Sequence, residues 1–464
     1  MENFDVIVVG SGPAGEKAAA QAAYFGKKVL VIEKETVVGG AMVNTGTIPS
    51  KTLRETSLFL SGKKQRGMYG IDQQIAREIT VQDLMFRKNF IVNKEIAMIN
   101  ENLARHKVKQ VRGIAYFVDE HTIGIEGSGE KFGGDFILIA VGSQPFRPAG
   151  IPFEEEQVYD SDEILRMEAI PESMVIIGAG VIGCEYACMF AALGIDVTLV
   201  DSRDTILPFL DREISGLLVE EMKGLGVKFV FCDAVEKVEL EDGKCKTHLK
   251  SGKVLVSDTH LYAAGRAGNV KDLKLENIGL AANDRGLLEV NEHYQTQIPH
   301  IYAAGDVIGF PSLASTSMEQ GRVAMCHAFD FGYKDRVAAL LPYGLYTIPE
   351  VSMVGITEEE AQRRKIDYEV GKSSYVDNPR GQIIGNERGI LKLIFTKADK
   401  KLIGVHVIGD NASEVVHIGM MTMYFEGTID AFIGSVFNYP TLSDIYKYAA
   451  YDGLGNLSGH KIKN

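Results

Sequence analysis

The sequence has only five cysteines among its 464 residues, and none of them is spaced as Cys-x-x-Cys. This pattern predicts buried, reduced thiols and gives no metal-ligand spacing. A formal net charge of −13 argues against nucleic acid or an anionic membrane surface as a partner. No apolar run approaches the roughly 20 residues that cross a bilayer, and no basic, apolar leader precedes the first strand-like run. We therefore expect a cytoplasmic protein that binds neither metal nor membrane.

The chain is longer than one hydrophobic core usually covers, which predicts two to four domains. Its first 33 residues show a strand, a glycine turn, a helix and a second strand. The turn is Gly10-Ser-Gly-Pro-Ala-Gly15, and the second strand ends at Glu33. Gly10 permits the tight turn, Gly12 the approach of a pyrophosphate and Gly15 close helix packing, while Glu33 can accept hydrogen bonds from a ribose. The pattern predicts a dinucleotide site; a purely structural turn is the alternative.

A second copy of this pattern begins near residue 174. Its turn is Gly178-Ala-Gly-Val-Ile-Gly183, and its second strand ends at Asp201. Two such sites imply two dinucleotides with different tasks, and a bound flavin with an exchanging nicotinamide fits that division; a decayed, structural second copy is the alternative. Asp201 suits the free 2′-hydroxyl of NAD. Arg203 could bind the 2′-phosphate of NADP or simply be a solvated surface residue, so this choice stays open.

Between and after these units the pattern of predicted strands and helices changes. Residues 108–118 are predicted to form a single strand, and from about residue 342 short strands and helices lead to a tyrosine-rich tail. The predicted fold class is α/β, with two Rossmann-like dinucleotide-binding domains and a C-terminal α+β domain.

The segment from Val38 to Lys51 resembles the part of the flavoprotein disulfide reductases that carries their redox-active cysteine pair. In this sequence Met42 and Thr47 stand at the two cysteine positions, and Tyr439 stands at the position of the reductases' acid/base histidine. Tyrosine, with a pKa near 10, is a poor proton shuttle at neutral pH. The thiols and their base are thus absent together, which predicts that the electron path ends at the flavin.

Other strings carry the resemblance over residues 4–455. Residues 296–306 resemble the family's second flavin fingerprint, which places Asp306 at the ribityl chain. The resemblance implies that Lys51 lies near flavin N5 and Glu185 near the nicotinamide; without it, two helix-surface charges would be the favoured interpretation. It also implies three domains, of residues 1–145 with 267–341 for FAD, 146–266 for NAD(P) and 342–464 for dimerisation. In the implied homodimer Tyr439 reaches the partner subunit's flavin.

The resemblance assigns two sets of binding residues. Those expected at FAD are Gly10, Gly12, Pro13, Ala14, Gly15, Glu33, Lys34, Gly40, Thr47, Lys51, Ala115, Gly142, Asp306, Leu313 and Ala314. Those expected at NAD(P) are Gly178, Gly180, Val181, Ile182, Gly183, Glu185, Asp201, Arg203, Val235 and Gly265.

Within this superfamily, strings such as Gly46-Thr-Ile-Pro-Ser-Lys51 and Phe437-Asn-Tyr-Pro-Thr441 look like those of the soluble, Si-specific pyridine nucleotide transhydrogenases. That group often keeps one cysteine where Met42 stands here. The implied activity is transfer of a hydride from NADPH to NAD⁺ through FAD, with ping-pong kinetics. Two alternatives remain: a diaphorase or oxidase that reduces quinones or oxygen, and a non-catalytic nucleotide-binding subunit of a larger complex.

Overall fold

The computed structural model describes residues 1–62, 79–386 and 388–460. Residue 464, the predicted end of the third domain, lies outside them. Among the described helices, none is both long enough and apolar enough to cross a lipid bilayer.

The first part of the chain forms a mainly parallel sheet. Its elements are β1 (Glu2–Val9), α1 (Pro13–Tyr24), β2 (Val29–Glu33), α2 (Gly40–Asn44), α3 (Thr47–Ser61), α4 (Val81–Arg105), β3 (Lys109–Arg112), β4 (Ala115–Asp119), β5 (Thr122–Ile125), β6 (Lys131–Ile139) and β7 (Ser143–Pro145). β3, β2, β1 and β6 lie parallel in that order, and β5 and β4 continue the sheet antiparallel. The strands at its centre are continuous apolar runs because other elements cover both faces.

The predicted single strand over residues 108–118 is wrong, because the chain forms β3 and β4 instead. Gly113 separates them with a φ of +159°, and a Cβ at this position would lie 2.4 Å from the Ile125 side chain. Only glycine fits such a close approach without displacing its neighbour.

The middle of the chain forms a second parallel sheet. Its elements are β8 (Val158–Asp160), β9 (Ser173–Ile177), α5 (Val181–Ala192), β10 (Asp196–Val200), α6 (Arg212–Leu225), β11 (Lys228–Val230), β12 (Val235–Glu241), β13 (Lys244–Leu249), β14 (Val254–Ser257), β15 (Thr259–Tyr262) and β16 (Arg266–Gly268). The parallel order is β11-β10-β9-β15-β8, β12 to β14 form an antiparallel sheet, and β16 pairs with β7. α5 is almost wholly buried, which explains why its sequence is apolar on every side.

The last part of the chain adds one strand to the first sheet and then forms a separate sheet. Its elements are β17 (Ile301–Ala303), α7 (Ala314–Ala328), β18 (Tyr343–Leu345), β19 (Val351–Gly355), α8 (Glu358–Arg363), β20 (Tyr368–Ser374), α9 (Pro379–Ile383), β21 (Ile390–Thr396), β22 (Leu402–Ile408), α10 (Ala412–Tyr424), α11 (Asp430–Gly434) and α12 (Ile445–Ser458). β17 pairs with β6, and the C-terminal sheet is antiparallel in the order β18-β19-β22-β21-β20. The predicted fold class is confirmed.

A buried charge cluster fastens the C-terminal sheet to the second sheet. Lys392 Nζ lies 2.9 and 3.0 Å from the two carboxylate oxygens of Asp211, and 2.6 Å from Glu358 Oε2 and 3.1 Å from Glu213 Oε2. The side chains of Lys392 and Asp211 are 1% and 0% exposed. Burial by itself raises the pKa of Asp211, but His406 and Lys392 outweigh it, so the pKa of this carboxyl is lowered. The pKa of Glu213 is lowered in the same way: Lys372 and Lys392 outweigh its burial.

We predict that Lys392→Met lowers the free energy of unfolding by about 3–5 kcal/mol at pH 7, because it leaves several carboxylates close together without their cation. Because the pKa values of Asp211 and Glu213 are lowered by folding, their stabilisation is present above their unfolded pKa values, near 4, and is lost as the pH falls through the folded values. The difference between wild type and variant should therefore shrink on acidification below about pH 4. Urea unfolding at several pH values measures it.

The matched control is Lys228→Met, which removes an exposed ion pair with Asp196 and should cost less than about 1 kcal/mol. A loss for Lys392→Met as small as that of the control, or one independent of pH, would contradict the stabilising role of the cluster.

Candidate active site

The first glycine turn is built from backbone too close for side chains. Gly10 has a φ of +104°, and a Cβ there would lie 2.3 Å from the carbonyl oxygen of Ala140. A Cβ at Gly15 would lie 1.9 Å from the oxygen of Gly10, and one at Gly40 would lie 2.8 Å from Gly12 Cα. The glycine turn and the backbone of residues 39–40 therefore pack against each other without side chains between them. This arrangement suits the close approach of a pyrophosphate.

The second glycine turn repeats this arrangement. Gly178 has a φ of +103°, and a Cβ at Gly183 would lie 1.8 Å from the oxygen of Gly178. A Cβ at Gly180, in contrast, would meet no described atom within 4 Å, so the space beside this residue is open. Gly183 thus serves packing, whereas Gly180 borders free space.

Three helices begin without a capping side chain, two at the glycine turns and one at residues 313–314. α1 starts after Gly12 with Pro13 and Ala14, α5 after Gly180 with Val181 and Ile182, and α7 after Leu313 with Ala314. The first backbone N–H groups of a helix have no intrahelical partner, and an uncapped N-terminus favours an anion such as phosphate.

Glu33 lies at the end of β2, as predicted, and both of its oxygens are occupied. One accepts hydrogen bonds from the amide (2.9 Å) and the hydroxyl (2.6 Å) of Ser11, and the other from the amide of Glu35 (2.9 Å). The backbone oxygen of Glu33 accepts from Gly113 N, just before the buried Ala115. Lys34, next in the chain, is exposed.

Asp201 occupies the matching place at the end of β10, but its partner is charged. Arg203 donates from Nε to Oδ1 (2.8 Å) and from Nη2 to Oδ2 (2.7 Å), and the Ala179 amide also reaches Oδ2 (2.6 Å). Burial by itself raises the pKa of Asp201, but the Arg203 and Ala179 hydrogen bonds outweigh it, so the pKa is lowered. Arg203 Nη1 donates to none of the described residues, and the Arg203 side chain is 43% exposed.

The remaining predicted residues of the second site lie around this pair or on the seam with the first sheet. The backbone oxygens of Arg203 and Asp201 accept hydrogen bonds from residues 232 and 233, just before Val235. Gly265 has a φ of +114°, and its oxygen accepts from the amide of Phe146.

Asp306 ends a chain of hydrogen bonds at the same seam. Ser143 donates from Oγ to Asp306 Oδ2 (2.8 Å), and Arg266 donates to both Oγ (2.9 Å) and the backbone oxygen (2.8 Å) of Ser143. Gly142, with a φ of +67°, precedes Ser143.

Lys51 and Glu185 form an ion pair. Lys51 Nζ lies 2.6 Å from Glu185 Oε2, and Glu185 Oε1 accepts a hydrogen bond of 2.8 Å from the Tyr346 amide. Glu185 is 3% exposed, and Lys51 Nζ also lies 5.1 Å from the centre of the Tyr346 ring. Three distant stretches of sequence thus meet at one buried carboxylate, which is satisfied on both oxygens as burial requires.

The two positions of the family's cysteine pair hold unreactive side chains. Met42, in α2, packs against the core of the first sheet, and Thr47 is the exposed first residue of α3. Cys184, Cys188, Cys232, Cys245 and Cys326 are all free thiols. Burial raises the pKa of Cys184 well above its usual value, which makes it a poor nucleophile.

Tyr439 lies on the surface of the C-terminal part and is 71% exposed in the single chain. The structure therefore brings Lys51 and Glu185 together but leaves Tyr439 uncovered by its own chain.

Several residues at these places were not among those predicted: Ser11, Ser143, Arg266 and Tyr346. Ser11 is a variable position of the glycine turn, so no sequence signal marks it. Ser143 follows the predicted Gly142, and Tyr346 opens a Tyr-Thr-Ile-Pro-Glu string, but only the fold brings them to Asp306 and Glu185.

Two family models match the chain. Residues 4–321 match the model described as pyridine nucleotide-disulphide oxidoreductase, and residues 341–450 match the dimerisation domain of the same family.

Curated relatives match over nearly the full length. A soluble pyridine nucleotide transhydrogenase of Mycobacterium tuberculosis is 46% identical over 98% of both chains. Proteins of the same name from Pseudomonas syringae and Colwellia psychrerythraea are 43% and 41% identical over 98% of this chain and 99% of theirs.

Solved structures share the fold. The HOCl-induced flavoprotein disulfide reductase RclA from Escherichia coli superposes with a TM-score of 0.88 at 26% identity, over 97% of this chain and 99% of that one. LpdA from Mycobacterium tuberculosis gives the same TM-score and the same coverage at 24% identity.

Proposed function

The chain belongs to the pyridine nucleotide-disulphide oxidoreductase family and, within it, to the soluble pyridine nucleotide transhydrogenases, and we propose that it transfers a hydride from NADPH to NAD⁺ through bound FAD without a redox-active disulfide. The observation that carries this proposal is the pairing of Lys51 with Glu185 beside a segment whose two cysteine positions hold Met42 and Thr47. In this proposal the ion pair serves electron transfer, and no dithiol beside it accepts the electrons.

The residues of the first glycine turn fit FAD, because the bare backbone at Gly12 and Gly40 and the uncapped start of α1 suit a pyrophosphate. When bound, FAD supplies a group that can accept a hydride from one nucleotide and return it to another. We assign to it Gly10, Gly12, Pro13, Ala14, Gly15, Glu33, Lys34, Gly40, Thr47, Lys51, Ala115, Gly142, Asp306, Leu313 and Ala314. We assign to NAD(P) Gly178, Gly180, Val181, Ile182, Gly183, Glu185, Asp201, Arg203, Val235 and Gly265.

In this proposal the protein works mainly by positioning. Glu185 holds the Lys51 ammonium in one place through a charge-assisted hydrogen bond. A fixed cation stabilises negative charge that develops beside it without further reorganisation. Hydride transfer needs a short approach of two reacting atoms and no proton shuttle, so Tyr439 in place of the family's histidine does not obstruct it.

The Asp201–Arg203 pair supports binding of both nucleotides at one site. Arg203 offsets the charge of Asp201, which would otherwise repel a 2′-phosphate, and its Nη1 is turned to no described residue. We propose that the guanidinium binds the 2′-phosphate of NADP(H) and that Asp201 accepts from the ribose hydroxyl of NAD(H).

The wider arrangement follows the family. We propose a cytoplasmic homodimer, with residues 1–145 and 267–341 as the FAD domain, 146–266 as the NAD(P) domain and 342–464 as the dimerisation domain. Exposed apolar side chains on the C-terminal part, including Phe425, Val436 and Tyr439, support a contact between two copies.

The proposal predicts that NADPH reduces a thio-analogue of NAD⁺ with ping-pong kinetics, faster than the protein consumes oxygen or reduces a quinone. The reason is that one site serves both nucleotides in turn. Initial rates over a matrix of both nucleotide concentrations, under anaerobic and aerobic conditions, measure this. Faster reduction of oxygen or quinone would support an oxidase or diaphorase instead, and flavin that neither NADPH nor NADH bleaches would support a non-catalytic subunit.

We also predict that Arg203→Gln lowers kcat/KM for NADPH about tenfold to 100-fold while changing kcat/KM for NADH far less, because a charged hydrogen bond to phosphate contributes about 1.5–3 kcal/mol. Steady-state kinetics with each nucleotide measure the ratio. Arg285→Gln, at an exposed position outside the residues assigned to either nucleotide, is the control. An equal loss for both nucleotides would show that Arg203 does not read the 2′ position.

A further inference from the structure

Arg54 is a buried arginine one helical turn after Lys51. It lies in α3, is 1% exposed and is among the largest fully buried side chains of the described residues. A guanidinium is seldom buried, because it leaves water only where several acceptors replace it. It has one acceptor next to it in the chain and two from far along it. Nη1 donates to Oε1 of exposed Glu55 (2.5 Å) and lies 3.3 Å from Glu350 Oε1, and Nε donates to the Thr347 backbone oxygen (2.9 Å).

The two distant acceptors, Thr347 and Glu350, belong to the short segment of residues 346–350, between β18 and β19. Glu350 is fixed at its other oxygen by Ser413, whose hydroxyl donates at 2.8 Å. At the opposite end of the segment the Tyr346 amide donates to Glu185 Oε1 (2.8 Å). The carbonyl that Arg54 holds thus lies one residue from the amide that holds Glu185.

These contacts close a ring. Lys51 and Arg54 stand three residues apart on one face of α3. Lys51 binds Glu185, Glu185 accepts from the segment, and the segment is bound by Arg54. Removing Arg54 opens the ring at the segment while leaving the Lys51–Glu185 contact itself intact.

We infer that Arg54 is a positioning residue for hydride transfer: it fixes the 346–350 segment, whose Tyr346 amide sets the orientation of Glu185 and, through it, of Lys51. The inference rests on the proposed function for its kinetic consequence but not for its structural one. Arg54 touches neither nucleotide nor flavin in this scheme and acts only through other residues.

The test compares three variants as holoenzymes: Arg54→Met, which keeps an unbranched apolar chain without donors, Arg54→Lys, and the double variant Arg54→Met/Glu350→Gln, which also removes the carboxylate left unpaired. Arg105→Met, which removes an ion pair with exposed Glu101, is the control for loss of an arginine. Hydrogen–deuterium exchange reports the Tyr346 amide directly. Anaerobic stopped-flow bleaching of the flavin at saturating NADPH reports the rate of hydride transfer separately from nucleotide affinity.

We expect Arg54→Met to speed exchange at the Tyr346 amide about tenfold or more, since a fixed segment becomes able to open locally. The bleaching rate should fall up to about 100-fold, with little change in the NADPH concentration for half saturation, because a small misplacement of a positioned group acts on the reacting geometry. Arg54→Lys should restore part of the exchange protection and part of the bleaching rate. The lysine ammonium can pair with Glu350, but it lacks the fork of donors that also binds the Thr347 oxygen.

Three results would overturn the inference: wild-type exchange at Tyr346 in Arg54→Met, faster exchange with an unchanged bleaching rate, or recovery of both readouts in the double variant, which would reduce Arg54 to a counter-ion for Glu350. If Arg54→Met does not fold, Arg54→Lys alone decides, and wild-type values in both readouts would overturn the inference. Wild-type flavin that NADPH does not bleach would refute the proposed function instead, and the exchange data would still test the placement of Glu185.

Discussion

The structure depends on one buried carboxylate. Glu185 stands near the start of α5 in the second sheet, and both of its oxygens are taken by groups from elsewhere: Lys51 from a helix of the first sheet and the Tyr346 amide beside the C-terminal sheet. A carboxylate that is 3% exposed costs several kcal/mol unless it is paired and hydrogen-bonded. Glu185 therefore holds parts of all three sheets together at this point. Arg54 adds a second contact to the segment that carries Tyr346.

The two glycine turns look like copies, yet the carboxylates that follow them are held differently. Glu33 is held by neutral donors, the hydroxyl and amide of Ser11 and the amide of Glu35, so its charge is kept. Asp201 is held by the guanidinium of Arg203, so its charge is offset. A carboxylate without a counter-ion can bind a ribose diol but repels a phosphate. A carboxylate paired with an arginine can bind either group. This difference accords with a permanent dinucleotide in the first turn and two exchanging ones in the second.

Much of this could be predicted from local sequence, because glycine turns, terminal acids and apolar runs act over a few residues. The two Rossmann-like units were predicted in this way, and the resemblance drew attention to Lys51 and Glu185, although it did not predict their ion pair. The break at Gly113 was missed, since the close approach of Gly113 to the Ile125 side chain involves a separate strand. Arg54 was missed for a similar reason: its burial depends on Thr347 and Glu350, almost 300 residues away. Contacts between distant segments leave no local pattern.

The proposed electron path depends on the residues that replace a dithiol in the segment before Lys51. Met42 and Thr47 cannot form a disulfide, and the protein's free thiols lie at other positions. Anaerobic reductive titration of the purified protein, with electrons counted against bound FAD, tests this most directly. A proposed electron path that ends at the flavin predicts uptake of about two electrons per FAD, the capacity of the flavin alone. Uptake of about four, the capacity of a flavin and a disulfide together, would contradict it.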